Sequence, residues 1–196
     1  SLSNDDEYIT LTDSQASFGN IAPDAMASST VAFSFTVSPG VPDDYSFSFL
    51  ATVTGSGQIW DYNLNMTAYA PVLSFEGVMV DDPDGQLDPG DTAEIGVIIH
   101  NSGGAPIAVP QAIFSTPDSY ITLNSSDTYT MFDIDPDSEE MAYFNLIASP
   151  DTPIGHIVSF DLRIISGFIY DSTLEGFLTI GLTWEDFESG SFVILP

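Results

Sequence analysis

The chain has 196 residues, 43% hydrophobic and 12% aromatic, and a formal net charge of −28 set by 29 acids against one base, Arg163. That apolar content argues against disorder, and the charge argues against phosphate backbones or anionic lipid as partners, so no nucleic acid and no direct membrane insertion are expected. The absence of cysteine removes disulfides, zinc–thiolate sites and a thiol nucleophile, and no run of about 18 apolar residues is present to span a membrane.

Taken from the start, Ser1-Leu2-Ser3-Asn4-Asp5-Asp6 carries no secretory signal and reads as an excerpt of a longer polypeptide. Helical periodicity is nearly absent and period-two alternation dominates. Phe33-Ser34-Phe35-Thr36-Val37 alternates, and so does Tyr45-Ser46-Phe47-Ser48-Phe49. Further on, Ala93, Ile95, Val97 and Ile99 share one face of a strand whose other face carries Thr92, Glu94, Gly96 and His100. Strands with one buried and one wet face are those of antiparallel sandwiches. Turn residues recur between them at Ser38-Pro39-Gly40, Asn101-Ser102-Gly103-Gly104 and Ser149-Pro150-Asp151.

The chain also repeats itself. Glu7-Tyr8-Ile9-Thr10-Leu11 returns as Ser119-Tyr120-Ile121-Thr122-Leu123, and Ile21-Ala22-Pro23-Asp24 as Ile134-Asp135-Pro136-Asp137. Residues 33–42 match 144–153, keeping the Ser-Pro-x-x-Pro turn, and Ile59-Trp60-Asp61 answers Ile169-Tyr170-Asp171. The order is preserved, which points to a tandem duplication. The copies are unequal: residues 71–119 precede Tyr120, room for about three strands, whereas only residues 1–7 precede Tyr8. The expected fold is all-β, two tandem immunoglobulin-like antiparallel β-sandwiches, the first incomplete at its N-terminus. The expected domains are 1–70, 71–183, and a segment 184–196 that is a linker or the start of a following domain. A first sandwich without its opening strands would expose apolar faces and open edges, to be completed by preceding sequence or by another chain.

Leu87-Asp88-Pro89-Gly90-Asp91 followed by a strand ending His100-Asn101-Ser102-Gly103 resembles the immunoglobulin-like β-sandwich repeats of large secreted bacterial surface proteins. Such repeats occur next to gingipain-like cysteine peptidase domains and in adhesins. Tyr120-Ile121-Thr122-Leu123 and the run Pro153-Ile154-Gly155-His156-Ile157-Val158-Ser159-Phe160 share the likeness, and Glu185-Asp186-Phe187-Glu188-Ser189-Gly190 resembles a linker into a following jelly-roll domain. The resemblance covers the chain from about Tyr8 onward. It implies an extracellular or cell-surface, non-catalytic module, since the family's catalytic Cys and His belong to another domain.

Among sites, the loop Asp81-Asp82-Pro83-Asp84-Gly85-Gln86-Leu87-Asp88-Pro89-Gly90-Asp91 stands out. A hard cation such as calcium takes about six to eight oxygen ligands, and Asp81, Asp84, Asp88 and Asp91 are spaced to supply some of them, with Gly85 and Gly90 for the turns. This is no EF-hand, because Val80 falls where the first aspartate belongs. A solvated loop whose Asp and Pro-Gly residues cap turns is the other reading. The cluster Asp133, Asp135, Asp137, Glu139 and Glu140 reads as a solvated turn, and His156, matched by Tyr45, as a packing residue. No G-x-S-x-G, H-E-x-x-H or glycine-rich phosphate loop occurs, so no enzyme is expected. Trp60, matched to Tyr170, reads as core, although Trp60, Trp184 and the tyrosines would form a sugar platform if exposed together.

The function expected is a spacer or adhesion module of a large secreted or surface protein, stiffened by calcium. Its partners are neighbouring domains of the same polypeptide, a protein or glycan ligand at the cell surface, and other copies of itself. Two alternatives stand beside it: an accessory domain of a secreted gingipain-like peptidase, and an extracellular filament subunit whose tail 191–195 completes the next copy.

Overall fold

A computed structural model describes residues 1–29, 31–167 and 169–181; the expected segment 184–196, with Trp184, lies outside the described residues. The described chain is all-β, as the alternation predicts. Its strands are β1 (Leu2–Ser3), β2 (Ile9–Asp13), β3 (Ser34–Val37), β4 (Tyr45–Gly55), β5 (Gln58–Ala68), β6 (Leu73–Asp81) and β7 (Thr92–Asn101). They continue as β8 (Gln111–Ser115), β9 (Ile121–Leu123), β10 (Thr128–Thr130), β11 (Ser138–Ala148), β12 (His156–Ser166) and β13 (Tyr170–Ile180).

The chain forms two compact units. One is Ser1–Val72 joined by Asn101–Ile107 and Asp135–Asp137; the other takes Leu73–His100, Ala108–Ile134 and the chain from Ser138 on. In the second unit, the sheet β10-β8-β12-β13 and the sheet β6-β7-β11-β9 each have four strands. Along β12, Val158, Phe160, Leu162 and Ile164 are buried while the residues between them are exposed, and Ala93, Ile95, Val97 and Ile99 of β7 are buried as well. Rings join the two sheets: Phe75 of β6 meets Phe160 edge-on at 5.7 Å, and Phe114 of β8 lies 5.1 Å from Phe144 of β11. This is a sandwich with a continuous core, each fully buried aliphatic or aromatic side chain contributing about 1.5–3 kcal/mol.

The first unit holds the sheet β1-β4-β5 and the pair β2-β3. Its core is Leu2, Ile9, Val41, Phe47, Phe49 and Ala68, against which Tyr8, Leu11, Phe33 and Phe35 pack. The loop Asn101–Ile107 belongs to this unit through hydrogen bonds that leave no room for side chains. The buried Asn101 accepts from Val72 N–H and Gly103 N–H at 3.1 Å each and donates to Ala105 O at 2.9 Å. Asp43 accepts from Ala70 N–H and Gly104 N–H, which hold its carboxyl below the usual range. A Cβ on Gly103 would collide with the backbone of residues 70–72.

The repeat is visible in the registers. Ile9 pairs with Val37 as Ile121 pairs with Ala148, and Tyr45 pairs with Ala68 as His156 pairs with Ile180. Thus β2, β3, β4 and β5 answer β9, β11, β12 and β13. Asp44 and Gly155, at matched positions, both have positive φ (54° and 78°). One matched block is corrected. The hairpin after β12 is one residue longer than the one after β4, so the partner of Val53 is Trp60 and the partner of its equivalent, Ile164, is Ser172. Trp60 therefore answers Ser172, not Tyr170, and it is 44% exposed, not core.

Candidate functional site

In the acidic loop, local hydrogen bonds set the path. Asp82 O accepts from Gly85 N–H at 2.9 Å, Asp84 Oδ1 from Gln86 N–H at 3.1 Å, and Asp88 O from Asp91 N–H at 3.0 Å. Gly85 and Gly90 take the left-handed conformations these turns require, at φ of 75° and 97°. Leu87 is the loop's anchor: fully buried, it bridges Ile180 and accepts from Gly181 N–H at 3.0 Å. Burial raises the Asp88 carboxyl above its usual range, and the charges of Asp84 and Asp91 add to this. Asp82 is raised by burial too, and by Asp84 and Asp91. Asp88 N–H donates to Asp91 Oδ2 at 3.3 Å, while Asp81 ends β6. Among the described residues, no three acidic or histidine side chains converge to hold a metal ion, so these carboxylates form no ready-made cation cage.

The most ordered polar constellation lies elsewhere, around Asp118. His156 Nε2 sits 2.7 Å from Asp118 Oδ2, and Tyr120 N–H donates to Asp118 Oδ1 at 2.9 Å. Asp118 N–H donates to Thr116 Oγ1 at 3.1 Å, and that hydroxyl donates to Ser159 O at 2.7 Å. The rings of Tyr120 and His156 meet edge-on at 5.0 Å. Burial pushes the Asp118 carboxyl up, but the Tyr120 N–H and His156 outweigh it and hold the group below its usual range.

A carboxylate behind an imidazole is one half of a general-base arrangement, and the first unit holds its counterpart. There Tyr45 OH donates to Asp6 Oδ2 at 2.8 Å, Tyr8 N–H donates to Asp6 Oδ1 at 2.9 Å, and Asp6 N–H donates to Asn4 Oδ1 at 2.8 Å. Asn4 Nδ2 then donates to Ser48 O at 2.7 Å, and the Tyr8 and Tyr45 rings are again 5.0 Å apart, edge-on. A phenol stands where the imidazole stands, with every other bond kept. The constellation ties a turn to a strand start in each copy, and the Thr116 hydroxyl donates to a backbone carbonyl. The expectation that His156 packs is met, with an added hydrogen bond. Asp6 and Asp118 are the residues the sequence reading overlooked. The repeated string begins at them, as Asp6-Glu7-Tyr8 and Asp118-Ser119-Tyr120.

Elsewhere, Asp133 Oδ1 accepts from Val109 N–H at 2.8 Å, a bond between two segments distant in sequence. The single base pairs with Asp171 through two hydrogen bonds of 2.8 and 2.6 Å, more than half exposed on both sides.

Fold and constellation together define an antiparallel β-sandwich protein. No protein-family model matches the chain, and no curated protein matches it. Among solved structures, the chain is similar to Spo0M, a sporulation control protein from Bacillus subtilis. Identity is 18%, coverage is 57% of this chain and 50% of that one, and the TM-score is 0.30. The chain spans half the length of that protein.

Proposed function

We propose that the chain is a non-catalytic spacer or adhesion module of a large secreted or cell-surface bacterial protein, built from two copies of one immunoglobulin-like repeat. The observation that carries this reading is the duplicated staple. Its one titratable base is replaced by a tyrosine in the other copy without change of geometry, as expected of a part kept for cohesion and not for proton transfer. Two copies with the same staple and registers are what a modular spacer needs. Calcium belongs to this reading as a weak stiffener of the acidic loop, in the millimolar range common to extracellular modules, roughly 10⁻⁴–10⁻³ M. Gln86 Oε1, buried in that loop without a hydrogen-bond partner among the described residues, is the oxygen that favours it.

Single-molecule stretching tests the proposal. Two unfolding events are expected, with contour gains that match the two units at about 3.3–3.6 Å per residue, and a higher unfolding force for the second in millimolar calcium. Extension without resistance overturns the spacer; equal forces with and without calcium remove calcium from it.

A further inference from the structure

On the outer face of the sheet β1-β4-β5 lies an open groove of about 970 Å³. Its floor is three cross-strand pairs of β4 and β5: Ser46 with Thr67, Ser48 with Asn65, and Leu50 with Asn63. On β4 these residues alternate with the buried Phe47 and Phe49, so their side chains point away from the core. The turn 4–6 walls the edge of β4 opposite β5. Asn4 Nδ2 holds that turn to Ser48 O, and Asp6 is tied to Tyr45 and Tyr8, so the wall is fixed before any ligand arrives. Farther along the hairpin, Thr52 donates to Asp61 and the pair satisfy each other. In the groove, the side chains of Ser46, Ser48, Asn63, Asn65 and Thr67 make no hydrogen bond to any described residue. The second unit shows that the fold does not require this chemistry. At the matched places it carries Ile157, Ser159 and Asp161 against Thr179, Phe177 and Glu175, with Ile157 62% and Phe177 58% exposed. The groove there, beside Asp118, His156 and Ser159, is about 350 Å³. That unit includes β6, β7 and β8, and its matched face is open all the same, so an open outer face belongs to the repeat itself.

We infer that the groove of the first unit binds an uncharged saccharide. Each asparagine offers a donor and an acceptor side by side, which neighbouring sugar hydroxyls answer, and the Ser and Thr hydroxyls take either role. Leu50, 42% exposed, supplies an apolar contact for the C–H face of a sugar ring. The volume lies within the range of small-molecule sites, about 300–1,000 Å³. An acidic sugar is refused, because Asp5 lines the groove and the single base, Arg163, belongs to the other unit and is paired with Asp171. A peptide strand would need a backbone edge to pair with, and this floor presents side chains. The inference rests on the module proposed above only for where the sugar comes from. Stretching tests the spacer and the titration below tests the groove, so either can fail alone.

The test titrates the ¹⁵N-labelled full chain with neutral tetrasaccharides of glucose, mannose, galactose, xylose and N-acetylglucosamine, and with tetragalacturonic acid. At least one neutral sugar is expected to shift the side-chain amide signals of Asn63 and Asn65 saturably, and the acidic one is not. Asn65→Phe installs the residue that the second unit already carries at the matched place. It is expected to weaken binding at least about tenfold, or about 1.4 kcal/mol, with the thermal midpoint unchanged. Asn63→Ala is expected to weaken binding as well, and it decides the matter alone if Asn65→Phe lowers the midpoint. No shift with any neutral sugar, an equal shift with tetragalacturonic acid, or full affinity in the folded variants overturns the inference.

Discussion

The Asp118 carboxylate joins two groups that would each be left wanting without it, the Tyr120 N–H and the His156 ring. Asp118→Ala strands partly buried donors and is expected to cost about 1–3 kcal/mol in urea or thermal unfolding at pH 7. His156→Tyr installs the first unit's own solution and should stay within about 1 kcal/mol of the parent, whereas His156→Ala loses both bond and ring contact. If the tyrosine variant falls as far as the alanine one, the two constellations are not equivalent. The pH dependence has a definite sign. Because the folded Asp118 carboxyl lies below its ordinary value of 3.8, its contribution is complete above that value and is lost as pH falls through the lower, folded one. The Asp118→Asn variant should therefore show a flatter loss of stability below about pH 4 than the parent.

At the scale of strands, the two copies differ in how much cover their central hairpin has, and one matched pair of positions exposes this. Gly176 on β13 answers Leu64 on β5. A Cβ on Gly176 would collide with the Phe160 ring, which is held between Phe75 and Phe114. Gly176→Ala is expected to cost about 1–3 kcal/mol through overpacking, while Leu64→Ala should change stability by no more than about 0.5 kcal/mol, since the side chain is half in water. A large loss at Leu64 in chemical denaturation would mean that its face is already covered. This contrast was only partly legible in the sequence. Alternation located the strands, and the repeat located β2, β3 and β4 against their partners, because side-chain period and turn residues are local properties. Trp60 was misplaced because a single extra hairpin residue shifts the register without disturbing the look of the string Ile-aromatic-Asp. The β5 pattern reads as a covered face, and alternation cannot say whether a facing sheet is present. Composition marks the acidic loop, but its path depends on how Leu87 is anchored against Ile180 and Gly181, which no local pattern shows. The staple aspartates, Asp6 and Asp118, lie one residue before the repeated strings Glu7–Leu11 and Ser119–Leu123.

For the molecule as a whole, 29 acids and one arginine, itself paired with Asp171, leave a surface of almost uniform sign. Charges spread over such a surface interact through water, and salt screens them over about 8 Å at 0.15 M and about 3 Å at 1 M. Folding concentrates these charges relative to the open chain, so the compact state carries the larger repulsion and gains more from screening. The thermal midpoint should rise between 10 mM and 1 M sodium chloride. A gain on the order of 1 kcal/mol per unit would move it by roughly 4–8 °C for domains of this size. The acidic loop localises the effect, because burial and the charges of Asp84 and Asp91 all disfavour the ionised Asp88 carboxyl. Asp88→Asn should raise the midpoint at low salt, and its advantage should shrink as salt increases, since screening and neutralisation remove the same repulsion. A general solvent effect of the salt would lift parent and variant alike and keep their difference constant. Scanning calorimetry of the two proteins across the salt series separates these cases, and a midpoint that is flat or falls with salt would show that these charges are already far enough apart to ignore one another.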